Sequence, residues 1–273
     1  MANSGVKKSR WLLRRPDPEA GARLFCFPYS GSGATMYDRW PRRFGDIEVC
    51  PLQPPGRQNR IREPHYETYE RLAADLVEQL APYLDRPFAF FGHCSGALPG
   101  VAVTRRLAAA GLPLPHRVFA SAQVAPHDGP YGSFLRMDRG ELREELATII
   151  VNLGGQPTEA LLDLGLELLV KDVEANRRYV VPAPVRLPCP VTAIGWSGDT
   201  VIPAGLMGGW RATSADCREV VLDGGHFAFL GAPPALLAEI TRDLPVGAGP
   251  GTEDHSEEPM PLDTIMERHQ AGR

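Results

Sequence analysis

The tightest constraint on this chain is the segment Phe88-Ala89-Phe90-Phe91-Gly92-His93-Cys94-Ser95-Gly96-Ala97. An apolar run of β-forming residues ends at a glycine, and small residues then open a helix. The frame is G-x-C-x-G. A strand that turns abruptly into a helix needs small residues two before and two after its central side chain, because the two elements approach closely there. Gly92 and Gly96 meet that need when Cys94 is the central residue. For Ser95 the flanking residues are His93 and Ala97, a poor fit. The turn therefore lifts one sulfur above the end of a strand.

Elsewhere strand-like and helix-like segments alternate, the pattern of an α/β protein with a mostly parallel sheet flanked by helices. Residues 23–27 form a short apolar strand running into the glycine-rich loop Pro28-Tyr29-Ser30-Gly31-Ser32-Gly33. Residues 47–52 make the next strand. A helix is expected over 67–84, with Tyr69, Leu72, Ala73, Leu76, Val77 and Leu80 on one face. The strand ending at Gly92 leads into a helix over about 96–110, and further strands follow at 117–122, 190–196 and 219–222. Between Phe134 and Val185 the alternation stops, and two amphipathic helix candidates, 139–153 and 158–179, fill the gap. Residues 1–246 show no internal repeat and no linker to a second domain.

The chain has 273 residues, 43% hydrophobic and 23% charged, an ordinary globular composition. It holds no run of about 18 apolar residues, so no membrane span is expected. Net charge is −4, and residues 247–273 carry six acids against two arginines, leaving 27 of each sign elsewhere. That balance leaves no basic footprint for nucleic acid. The tail, rich in Gly, Pro and acid, is expected to be disordered. The basic N-terminal residues lack an apolar h-region, so no signal peptide is expected and a cytoplasmic setting follows. The five cysteines are widely spaced without C-x-x-C, which suggests neither a disulfide framework nor a metal site. Cys26 and Cys189, in or beside apolar strands, read as small buried hydrophobes.

A thiol nucleophile needs a base, a group that orients the base, and donors for the oxyanion. The elbow frame resembles that of the α/β-hydrolases, whose chain order is nucleophile, acid, histidine. Asp199 in Ser197-Gly198-Asp199 and His226 in Gly224-Gly225-His226 follow Cys94 in that order, each just past a strand. Such loops gather at the carboxyl ends of parallel strands. Cys94, Asp199 and His226 are therefore the expected triad. His93 is expected to hold the turn rather than act as base. His65, His116 and His127 lie in polar loops, His255 and His269 in the tail, and Asp223 reads as a turn residue or a supporting acid. The oxyanion hole is expected from the backbone N–H groups of Ser95 and Ser30. The glycine-rich loop lacks both G-x-x-x-x-G-K-[ST] and G-x-G-x-x-G, which argues against a phosphate cradle. In the α/β-hydrolase fold an insertion such as 134–185 forms a helical lid.

Several motifs narrow the resemblance. Phe27-Pro28-Tyr29-Ser30-Gly31-Ser32-Gly33-Ala34 resembles the F-P-H-A-G-G-x-A loop of type II thioesterases, the stand-alone editing enzymes of polyketide and nonribosomal peptide assembly lines. Gln53-Pro54-Pro55-Gly56-Arg57-Gln58-Asn59-Arg60 resembles their Y-P-G-R-x-x-R segment. Gly92-His93-Cys94-Ser95-Gly96-Ala97 is similar to their G-H-S-M-G-A. Gly198-Asp199 and Gly224-Gly225-His226-Phe227 match their G-D-x-D and G-G-H-F-F regions. The resemblance implies a monomeric thioesterase without a cofactor of its own. It would act on acyl groups carried on the phosphopantetheine arm of acyl or peptidyl carrier proteins, through an acyl-S-Cys94 intermediate. Tyr29-Ser30 replaces His-Ala, Thr200-Val201 follows Asp199 where a further aspartate is common, and Cys94 replaces the family serine. Sulfur opens a second expectation. An acyl-S-enzyme stays activated, so a Cys-dependent acyltransferase or a Dieckmann-type cyclase is the alternative. In that group of cyclases the acid is expected after the strand that follows the elbow helix, where Ser121-Ala122-Gln123-Val124 offers none.

Overall fold

The computed structural model describes residues 9–152 and 154–245. Seven strands form one sheet: β1 (Ala22–Phe27), β2 (Arg43–Phe44), β3 (Ile47–Pro51), β4 (Phe88–His93), β5 (Arg117–Ser121), β6 (Val191–Trp196) and β7 (Cys217–Leu222). Their order is β2-β3-β1-β4-β5-β6-β7, and every pairing is parallel except β2 with β3. The central strands β1, β4 and β6 are buried along their whole length, as a parallel sheet covered on both faces requires. Phe25, Phe27, Phe88, Phe90 and Phe91 are each at most 1% exposed. Each such ring contributes roughly 1.5–3 kcal/mol by leaving water.

Among the described residues five α-helices accompany the sheet: α1 (Tyr69–Leu80), α2 (Ala97–Ala109), α3 (Arg139–Asn152), α4 (Glu159–Arg178) and α5 (Pro234–Asp243). The α1 face expected from periodicity is the buried one. The helix is shorter than the expected 67–84 for two local reasons. Glu67 has φ +62, outside helical space, and Thr68 caps the first turn by accepting the Arg71 N–H. At the other end Pro82 lacks an N–H, and the chain tightens into a 3₁₀ turn, Ala81–Tyr83. Strand β2, two residues long, and α5, which buries Leu236 and Ile240, are additions to the expected elements.

Helices α3 and α4 lie between β5 and β6 in sequence, within the interruption at 134–185. They pack on each other around a small core of their own: Leu142, Leu146, Leu162, Leu166, Leu169 and Val173. The acidic segment 247–273 and the first eight residues lie outside the described residues, as does Leu153, the expected end of α3. Among the described residues no helix is long and apolar enough to cross a membrane.

Candidate active site

The turn after β4 is as tight as its glycines imply. A Cβ on Gly92 would sit 2.2 Å from the Gly96 carbonyl oxygen, and one on Gly96 would sit 2.9 Å from the Phe27 and Pro28 carbonyls. Cys94 lies between them with φ +51, in the left-handed region. A non-glycine residue held there costs about 1–3 kcal/mol and persists only where its surroundings fix it. The turn runs directly into α2, so the Ser95 N–H belongs to a first helical turn whose donors have no partner within the helix.

Two further loops meet Cys94 at the same end of the sheet. The loops after β6 and β7 are stitched together: Ser197 N–H donates to the Leu222 carbonyl at 2.8 Å, and Gly198 N–H to the Gly224 carbonyl at 2.9 Å. The Ser197 hydroxyl donates to Asp223 at 2.8 Å, which makes Asp223 a turn partner. Asp199 Oδ1 accepts the N–H groups of Val201 at 2.8 Å and Ile202 at 2.9 Å. Its Oδ2 accepts a hydrogen bond from His226 Nδ1–H at 2.7 Å. That bond fixes the ring and leaves Nε2 as the nitrogen for a nucleophile. Burial alone would raise the Asp199 carboxyl, but His226 and the Ile202 N–H hold it below its ordinary value.

Burial likewise pushes the His226 imidazole down. The hydrogen bond to Asp199, then the Cys94 sulfur beside the ring, more than reverse this and bring it up to about 10. By NMR, the His226 ring is expected to stay protonated from pH 6 to 8 and to titrate near pH 10. Replacing Asp199 by Asn should lower that value, and titration near 6.5 in the unaltered protein would refute the arrangement. Because the folded value is raised, the stability it contributes is complete below about pH 6.5. It is lost as pH rises through about 10.

His93 is fully buried, with Nδ1 3.0 Å from the Ser121 hydroxyl, which also accepts the Trp196 indole N–H. It stacks on Phe229 at 3.8 Å and abuts His226 at 4.6 Å. Burial, then the His226 charge, push it well below its usual value. It is a neutral prop behind His226, not a base. Ser121 at the end of β5 is likewise spent on His93 and Trp196, and the acid facing His226 is Asp199.

The two residues expected to form the oxyanion hole are placed together, but not as expected. The Ser30 N–H, expected to be free, donates to the Ser95 hydroxyl at 2.9 Å, and the two hydroxyls are 2.8 Å apart. Both residues, with Cys94 and His226, line a chamber of about 110 Å³ whose wall is mostly apolar and includes Ile149 and Val173 from the α3–α4 pair.

One residue of this region is silent in the sequence. Asp172 on α4, 1% exposed, accepts five hydrogen bonds. They come from the Gly31 N–H at 2.8 Å, both terminal nitrogens of Arg57 at 3.0 and 2.9 Å, His65 Nε2 at 2.7 Å and the Tyr66 hydroxyl at 2.7 Å. His65 Nδ1 accepts the Glu67 N–H, so Nε2 carries the proton toward Asp172. His65 lies in a loop, as expected, but its side chain, 4% exposed, is a strut to Asp172. Arg57 also donates to the Ser32 carbonyl at 2.8 Å. The glycine-rich loop is therefore bound on both sides of Gly31 by one ion pair. No pattern in the sequence marks it: the buried face of α4 that carries Leu169 and Val173 also carries Asn176.

A parallel sheet in this order, with a strand–elbow–helix at its centre and helices on both faces, is an α/β-hydrolase-like thioesterase fold. The chain belongs to the thioesterase family: the thioesterase domain model matches residues 22–244. It is 36% identical to the linear gramicidin dehydrogenase LgrE of Brevibacillus parabrevis, over 89% of this chain and 96% of that one. It is 30% identical to the gramicidin S biosynthesis protein GrsT of Aneurinibacillus migulanus, over 80% and 88%. Among solved structures it resembles the RedJ thioesterase from the prodiginine biosynthetic pathway of Streptomyces coelicolor. That match has a TM-score of 0.71 and 31% identity, covering 85% of this chain and 94% of that chain. The type II thioesterase BorB from the borrelidin biosynthetic cluster gives 0.70 and 28%, over 85% and 97%.

Proposed function

We propose that the chain is a carrier-protein thioesterase of polyketide or nonribosomal peptide assembly whose nucleophile is the Cys94 sulfur. The observation that carries this is the placement of Cys94 at φ +51 in the elbow, facing a histidine already bonded to Asp199 at 2.7 Å. RedJ and BorB, thioesterases named for prodiginine and borrelidin biosynthesis, support a biosynthetic role; an acyl group on a phosphopantetheine arm is the substrate that the type II thioesterase resemblance implies. The α3–α4 pair acts as a lid in this reading, supported by Ile149 and Val173 lining the same chamber as Cys94.

The chemistry follows from the charges. His226, raised to about 10, holds a proton opposite the sulfur. The sulfur attacks the thioester carbonyl, the bond to the pantetheine sulfur breaks, and the leaving thiolate takes the His226 proton. Having given up its proton to the leaving group, and with the Cys94 sulfur acylated and no longer its partner, the neutral His226 ring serves as the base for the second step. Water then gives it a proton and attacks acyl-S-Cys94. The acid departs, and Cys94 is restored as the resting pair.

Transfer to an amine or a carbon nucleophile is the second reading, favoured by one feature, the sulfur itself. Thioester exchange is nearly isoenergetic and leaves the acyl group activated. The dehydrogenase name of one relative finds no counterpart here, because the Gly-rich loop has no G-x-G-x-x-G frame. Intact mass spectrometry of the protein mixed with an acylated carrier protein tests all of this. A transient acyl adduct on the Cys94 peptide with release of the free acid is expected. An adduct released only onto an added amine selects transfer, and no adduct with an unchanged carrier protein refutes both.

A further inference from the structure

The Ser30–Ser95 contact changes what the oxyanion hole can be made of. In the resting site the Ser30 N–H is not available to a substrate oxygen, because the Ser95 hydroxyl already occupies it at 2.9 Å. A hydroxyl accepts two hydrogen bonds and donates one. Ser95 Oγ has two potential donors on the glycine-rich loop, the Ser30 N–H at 2.9 Å and the Ser30 hydroxyl at 2.8 Å. When both donate, the Ser95 proton is left without a protein acceptor. The two serines are 7% and 5% exposed and border the chamber beside Cys94. A hydroxyl that accepts two hydrogen bonds is polarised into a stronger donor, and in a dry site the effect is larger. Both serines are also departures from the resembling family, whose motifs have alanine and methionine there, neither able to make this contact.

We propose that the Ser95 side-chain hydroxyl, backed by both donors of Ser30, is the second oxyanion donor of this protein and works beside the Ser95 N–H. The inference rests on Cys94 being the nucleophile. As the Cys94 sulfur bonds to the carbonyl carbon, the carbonyl π pair moves onto oxygen. The Ser95 N–H and Oγ–H receive that charge without giving up their protons. When the carbonyl re-forms, the pair returns and the pantetheine sulfur leaves. One residue thus supplies two donors, and the loop residue acts through it. Ser30 is a positioning residue and Ser95 a catalytic one.

The test compares two reactions of the same sulfur. Thioester attack builds an oxyanion; alkylation by iodoacetamide does not. With hexanoyl-N-acetylcysteamine as substrate, Ser95→Ala should slow acylation of Cys94 in single-turnover mass spectrometry by about 30-fold or more. Removal of one oxyanion donor costs about 10²–10³ in kcat. KM should change little, and the iodoacetamide rate should stay within about twofold. Ser30→Ala should cost less, about 3–10-fold, and the Ser30→Ala/Ser95→Ala pair should be no slower than Ser95→Ala alone, as expected of groups acting in series. Unchanged or faster acylation in Ser95→Ala overturns the proposal, because the freed Ser30 N–H would then be the donor. Equal slowing of both reactions also overturns it, as a general distortion of the turn. If the unaltered protein forms no acyl-Cys94 at all, it is the nucleophile assignment that fails.

Discussion

Cys94→Ala is expected to lower kcat by about 10⁴–10⁶, the scale of losing a nucleophile whose partners stay in place. Nothing else should fail. The turn at φ +51 is set by Gly92, Gly96 and the strands around them, and alanine carries the same Cβ at no greater backbone cost. The thermal midpoint should therefore stay within about 2 °C, which separates chemistry from folding. His226 provides an independent check: with the sulfur gone, one of the groups that raise it is absent, and its value should fall below about 10. Cys94→Ser is the more informative exchange. Oxygen fits the space and restores the family's hydrolytic residue, but an alcohol is harder to activate, so turnover should drop by about 10–10³. The acyl-enzyme would become an oxoester, and any transfer to an added amine should fall further than hydrolysis does. Retention of more than about one per cent of activity in Cys94→Ala would place the nucleophile elsewhere.

What could be read from the chain and what could not divides by range. The spacing of Gly92 and Gly96 located the elbow because its constraint is local, and the contacts at Gly92 state it as a distance of 2.2 Å. Asp199 and His226 were legible because each follows a strand, and neighbouring parallel strands bring their carboxyl ends together. Helix α1 was legible on its face and less so at its ends, where Glu67 and Pro82 decide by backbone geometry what periodicity cannot. The Asp172 site was not legible. Its donors lie 106 to 141 residues away, on a strand-end loop and a turn-rich segment that share no pattern with α4. The Ser30–Ser95 bond was missed for the same reason. Reading the loop predicts that a backbone N–H is near the sulfur, not that a serine 65 residues on has taken it.

Asp172→Ala is expected to destabilise the protein by about 3–5 kcal/mol, the cost of leaving a buried charge without its partner. The orphan is Arg57, whose side chain is 2% exposed. In a domain of this size the loss corresponds to a fall of roughly 10 °C in the thermal midpoint. Replacing both members, Arg57→Met with Asp172→Leu, should recover much of it, because no buried charge remains. The pH dependence has a definite sign. Burial by itself would raise the Asp172 carboxyl, but Arg57, followed by His65, holds it well below the usual carboxylate range. A depressed value contributes stability that is present above about pH 3.9 and lost as pH falls toward the folded value. The difference between Asp172→Ala and the parent should therefore be full at pH 7 and shrink in melts below pH 4. Activity should respond separately from stability. The Arg57→Met/Asp172→Leu protein keeps the fold but loses the acceptor that fixes the Gly31 N–H, one residue from Ser30. It should melt between Asp172→Ala and the parent, because the Gly31, His65 and Tyr66 donors lose their acceptor, and it should acylate Cys94 more slowly than its stability explains. Parental acylation in that protein would show that Asp172 supports the fold alone; slower acylation ties α4 to the chemistry through the loop it holds.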